Sequence, residues 1–139
     1  MKVVDAIAGE PTRTDQIRMS SGIFGFEHVK QYELIGGPAE EPFLWLQSVG
    51  EPDVAFLVIS PFLVRGDYQP EICETDFAAI EVQDSSGVLL YNIVTLHSHG
   101  PATVNLKGPI VINRFSKIAK QVVLNNAADY SVRHPIIAS

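Results

Sequence analysis

Two histidines one residue apart, His97 and His99, form the pair in this 139-residue chain best suited to holding a metal ion. On a continuous strand, residues i and i+2 share a face, and two imidazoles on one face are a common start of a metal site. A third ligand would have to be brought in by folding, from Asp84, His28 or His134, because nothing in the spacing supplies it. Ser98-His99-Gly100-Pro101 reads as a loop, where strand alternation lapses. A second constellation, Gly22-Ile23-Phe24-Gly25, has the Gly-x-x-Gly form that clamps a nucleic-acid backbone in KH domains. Here its two central residues are apolar and Glu27 follows, so it reads better as a tight turn that sends Ile23, Phe24 and Phe26 toward the core or offers an aromatic ring to a protein.

The usual signatures of catalysis are missing. Neither Gly-x-Ser-x-Gly nor His-Glu-x-x-His occurs, and there is no phosphate loop or Gly-x-Gly-x-x-Gly. Cys73 is the single cysteine, which excludes an intramolecular disulfide and a Cys-x-x-Cys centre, and it is expected to act as a small buried hydrophobe. No cofactor is expected. The alternative that keeps chemistry in view is a small-ligand or metal-binding β-barrel protein or enzyme using the His97/His99 loop.

Charge carries more information. Residues 1–100 hold five Lys/Arg against fifteen Asp/Glu, a balance of −10, whereas residues 101–139 hold five against one, or +4. Asp67, Glu71, Glu74, Asp76, Glu81 and Asp84 follow one another with little compensation. Phosphate backbones bind cations, so this surface disfavours direct nucleic-acid binding and favours a basic protein. Asp67, Glu71, Glu74 and Asp76 are the candidate docking acids, with Phe24 and Tyr68 as aromatic anchors, since a few aromatic residues usually dominate an interface.

The elements that must position these residues are strands. Short runs rich in Val, Ile, Leu and aromatics, punctuated by Gly, Pro, Asn and Asp, predict an all-β single domain over 1–139 with one or two short helices. Strands are expected at 2–8, 15–19, 31–36, 43–48, 54–59, 88–97, 101–106, 109–113 and 120–125. Phe43–Ser48 and Val54–Ile59, joined by Gly50-Glu51-Pro52-Asp53, should pair antiparallel, and Asp84-Ser85-Ser86-Gly87 reads as a hairpin turn. Pro70–Val82 is the best helix candidate, with Thr75 or Asp76 as N-cap. Glu27–Gln31 has room for one helical turn. Trp45 and Phe56 are expected core residues. No apolar run reaches the roughly 20 residues of a membrane span, and the first residues lack a signal-peptide core, which places the protein in the cytoplasm, most simply as a monomer.

Several stretches, in order, resemble the bacterial flagellar assembly factor FliW family. Gly22-Ile23-Phe24-Gly25-Phe26-Glu27 is similar to its Gly-Ile-Pro-Gly-Phe-Glu motif, with Phe24 in place of the usual Pro. Pro42 and Phe43–Ser48 resemble its Pro-Phe-x-x-Leu-Gln-Ser strand, Ala55-Phe56 with Pro61-Phe62 the next strand and exit, and Tyr68 a family loop Tyr. Asn105-Leu106 through Pro109-Ile110-Val111-Ile112-Asn113, then Gln121-Val122-Val123-Leu124, resemble its C-terminal blocks. The resemblance implies a compact antiparallel β-barrel-like fold and a non-enzymatic regulator with two protein partners, flagellin and the carbon storage regulator CsrA. Free of flagellin, such a protein binds this basic translational repressor and inhibits it.

Overall fold

The computed structural model describes residues 13–37, 41–51 and 53–136. The strand expected at 2–8 lies outside them. Nine strands follow: β1 (Arg13–Met19), β2 (Gln31–Gly36), β3 (Leu44–Ser48), β4 (Ala55–Ile59), β5 (Val88–Thr95), β6 (Thr103–Val104), β7 (Ile110–Asn113), β8 (Ile118–Gln121) and β9 (His134–Pro135). Two short helices, α1 (Pro61–Val64) and α2 (Glu74–Ala79), fall between β4 and β5.

Seven strands close a barrel in the order β4-β3-β2-β1-β8-β7-β5, with β5 returning to β4, while β6 and β9 extend from the end of β5. Directions cannot alternate all the way around a ring of odd number, so one contact must be parallel. That contact is β1–β8, pairing Arg18 with Ile118 and Met19 with Ala119. Every other pairing is antiparallel, including the expected β3–β4 hairpin, where Leu46 faces Phe56.

Two cores result. Ile17, Met19, Ile23, Tyr32, Leu34, Leu46, Val58, Ile110 and Ile112 fill the barrel. A second cluster, including Ile59, Tyr68, Ile80, Val94, Leu106, Val111 and Val122, lies outside the wall under the segments that carry α1, α2 and the chain after β8. Ile110 to Asn113 are therefore buried on both faces, which is why Pro109-Ile110-Val111-Ile112 reads as an unbroken apolar run.

Several expectations are corrected. Trp45 is only half-buried: Leu44 and Leu46 take the inward positions of β3, leaving its ring on the outer side, and Phe56 is half-buried at the margin of the barrel core. The helix spans Glu74–Ala79 with Cys73 at its N-cap, because Pro70 holds the chain before it extended. Asp84–Gly87 is a 3₁₀ turn leading into β5 rather than a hairpin turn, its Asp84 carboxylate accepting from the Ser86 N–H at 2.9 Å. Glu27-His28 is a turn without a helical segment. Cys73 is half-buried, its thiol 3.1 Å from the Thr75 hydroxyl.

Candidate functional site

The Gly22–Glu27 turn separates its side chains by their geometry. Gly22 and Gly25 sit at φ 75° and 88°, and a Cβ on Gly22 would lie 2.5 Å from the Glu27 Cα, so the motif needs glycine there. Ile23 enters the barrel core and Phe26 stands edge-on to Phe56 at 5.1 Å, while Phe24 is left 52% exposed. The Phe24 N–H donates to Gln121 Oε1 at 3.0 Å, and Gln121 Nε2 donates to the Gly108 carbonyl at 3.0 Å. The Gly25 N–H bond to Glu27, 2.9 Å long, holds that carboxyl below its usual range. This turn closes one end of the barrel.

The acidic series lies elsewhere. Lys120, the neighbour of Gln121 on β8, points to the opposite face and bonds Asp76 at 2.6 Å. Phe24 and the acids are thus held on opposite sides of one strand, and the sequence-based site is two places. Asp76 is committed to Lys120 and, with Glu74, occupies the first turn of α2, where negative charge suits the helix dipole. Asp67 bonds Arg65 at 2.9 Å, and the Arg65 guanidinium lies 4.9 Å over the Tyr130 ring. Glu71 and Glu74 are exposed and make no ion pair among the described residues.

Tyr68 is not an exposed anchor. It is 3% accessible, packed between Phe62 at 5.9 Å and Tyr130 at 4.8 Å, and its hydroxyl donates to the Leu106 carbonyl at 2.7 Å. Burial, reinforced by Tyr130 and opposed by the adjacent Asn92, pushes its pKa up to about 12. The exposed apolar residues of this region are Phe62 and Leu63 on α1, which the sequence shows only as the exit of a strand. Between α1, the extended segment before α2 and the edge of β5 runs a groove of about 710 Å³, walled by Phe62, Pro70, Ile72 and Phe77. Glu71 and Glu74 are interleaved in the chain with these wall residues but do not line the groove, an apolar surface that charge counting alone did not indicate.

The segments around this groove are pinned by side chains bonding to backbone. Asn113 Nδ2 donates to the Ile80 carbonyl at 2.9 Å while its Oδ1 accepts from the Phe115 N–H. Asn126 exchanges bonds with Glu71 N–H and the Gln69 carbonyl, and Tyr130 Oη accepts from the Gln69 N–H. Asn105 Oδ1 accepts from the N–H groups of Lys107 and Gly108. All three asparagines bond backbone.

The histidines do not converge. His97 Nε2 is 2.8 Å from the Thr103 hydroxyl, His99 is exposed in the loop, and His134 lies on β9 opposite Val104. Among the described residues no group of three or more His, Cys, Asp or Glu is placed to hold a metal ion, and no helix is long and apolar enough to cross a membrane.

Comparison with known proteins agrees with this architecture. A family model described as FliW protein matches residues 5–136. The flagellar assembly factor FliW of Treponema denticola is 38% identical, over 88% of this chain and 82% of its own length. That of Syntrophus aciditrophicus is 40% identical, over 92% and 81%. A crystal structure of the flagellar assembly factor FliW superposes with a TM-score of 0.78 at 34% identity, covering 89% of this chain and 86% of that one.

Proposed function

This chain belongs to the FliW family of flagellar assembly factors, and on that premise we propose that it is a cytoplasmic regulator that works by binding proteins rather than by catalysis. Its partners are flagellin, held before export, and the translational repressor CsrA, which it binds and inhibits when no flagellin occupies it. Export of flagellin then frees the factor, and removal of the repressor restores flagellin synthesis.

The observation that carries this reading is the family match over residues 5–136. The charge distribution supports it independently: Glu71 and Glu74 are exposed and make no ion pair among the described residues, on the segment whose Pro70, Ile72 and Phe77 wall an apolar groove, a combination suited to a basic protein with an apolar contact. Of the acids first singled out, Asp67, Glu71 and Glu74 remain candidates for docking, whereas Asp76 serves the ion pair with Lys120. Phe24 is a candidate anchor for a separate contact.

Calorimetry with purified flagellin and CsrA at two salt concentrations tests the reading. Binding to both is expected, with the repressor complex weakening as salt rises because the steering charges are exposed. Glu71→Lys with Glu74→Lys should weaken the repressor complex while leaving the fold intact. Binding to neither protein overturns the proposal.

A further inference from the structure

The groove has an unusual floor. Val88, Leu89, Leu90 and Tyr91 all line it, although successive residues of a strand point to opposite faces. Leu89 and Tyr91 pack toward the barrel core while Val88 and Leu90 pack toward the outer cluster. Four consecutive residues can border one groove only where it opens along the edge of the strand.

That edge is free because β4 stops short. The closing ladder pairs Val58 with Ile93 and Ile59 with Asn92, and there it ends. Ser60-Pro61 then turns the chain away into α1. Pro61 has no N–H to offer a ladder and suits the first helical position, so the departure is written into the sequence.

The direction of the unpaired groups follows from the bonds on the other side. The Arg114 N–H donates to the Gly87 carbonyl at 2.9 Å, and the Asn105 N–H to the Ile93 carbonyl at 3.0 Å. Gly87, Leu89, Tyr91 and Ile93 therefore face β7 and β6, and Val88 and Leu90 face the groove. Among the described residues no backbone group bonds the N–H or C=O of Leu90 from that side. The Val88 carbonyl meets only the Arg114 guanidinium, at 3.4 Å, and Arg114 has no acidic partner among the described residues.

We propose that the groove is a strand-addition site: an extended apolar segment of a protein partner lies where β4 would have continued, pairs with the free edge of β5 at Leu90, and places a carboxylate on Arg114. Backbone pairing at Leu90 supplies affinity, and the Phe62, Ile72 and Phe77 walls select apolar side chains at alternate positions. The unpaired edge at Leu90 specifies an extended segment rather than a helix, whose own backbone groups are already paired, and the guanidinium without an acidic partner among the described residues specifies the carboxylate. This rests on the protein-binding reading above and assigns it a seat.

The test is amide hydrogen exchange on the intact protein, free and saturated with flagellin or with CsrA, joined to three variants. Leu90→Pro removes the edge donor without touching the β5–β7 bonds, Ser85→Trp fills the groove from an exposed turn, and Arg114→Glu reverses the anchoring charge. Protection of the Leu90 amide by at least about tenfold in one complex is expected, with a loss of affinity of about tenfold in Leu90→Pro and Ser85→Trp, the scale of one hydrogen bond or one blocked pocket. Arg114→Glu should weaken the same complex. A complex that forms with the Leu90 amide unprotected, and with Leu90→Pro binding normally, overturns strand addition and leaves the regulatory function standing. Protection around Phe62 and Phe77 without protection at Leu90 assigns the groove to a helix and likewise overturns it. Failure of both proteins to bind removes the function and this inference together.

Discussion

The barrel interior and the outer layer each enclose one large buried tyrosine, yet they treat it differently. Tyr32 is fully buried inside the barrel and its hydroxyl has no hydrogen-bond partner among the described residues, whereas the equally enclosed Tyr68 donates to the Leu106 carbonyl. The barrel is held by strand ladders and apolar packing. The outer layer contains little regular structure, so Asn113, Asn126, Tyr130 and Tyr68 must tie its segments by bonds to backbone. Regular structure satisfies its own polar groups; irregular structure needs side chains to do so.

Four substitutions sharpen that contrast. The largest effect is expected from Leu46→Ala, which opens a cavity in the barrel at a residue only 1% exposed and should cost about 3 kcal/mol in a cooperative, global transition followed by denaturant. Asn113→Ala should cost about 2 kcal/mol, because it orphans the carbonyl of Ile80 and the N–H groups of Phe115 and Ser116. Its exchange signature should be local, with amides of Glu74–Val82 opening while those of β1 to β3 stay protected. If those strands exchange equally fast, the two layers are one cooperative unit and the contrast fails.

Tyr68→Phe should cost about 1 kcal/mol through the lost bond to Leu106, while Tyr32→Phe should change stability by less than about 0.5 kcal/mol or raise it, since the hydroxyl it removes has no partner among the described residues. The same pair answers to pH. Burial lifts both phenols to about 12, with Glu51 adding to Tyr32. Between the unfolded value near 10 and the folded value, the native state holds protons the unfolded chain has released, so stability is intact below about pH 10 and falls as pH rises toward 12. Each Phe variant should flatten that alkaline decline, and unchanged alkaline unfolding in both would mean the phenols titrate normally.

The sequence by itself determined most of the barrel. Val, Ile and aromatic runs interrupted by Gly and Pro placed β2 at its observed bounds and β1, β3, β4 and β7 within two residues, because alternation and turn chemistry are local properties. Family motifs in order made the fold legible beyond what periodicity could reach. What only the tertiary structure decided was which side of each strand faced inward and which loops met. Trp45 is turned out because its neighbours Leu44 and Leu46 are turned in, a choice of face that the continuous apolar run Phe43–Leu46 leaves open. Tyr68 became interior because Phe62 and Tyr130, far apart in the chain, close over it. Asp76 left the docking set because Lys120 came to it from 44 residues away, and Phe24 was separated from the acids by one step along β8. The groove required the early end of β4 and the free edge of β5 to meet the segment before α2. Local patterning fixes the type of an element, whereas a site is a relation between elements, and that relation exists only once the barrel has closed.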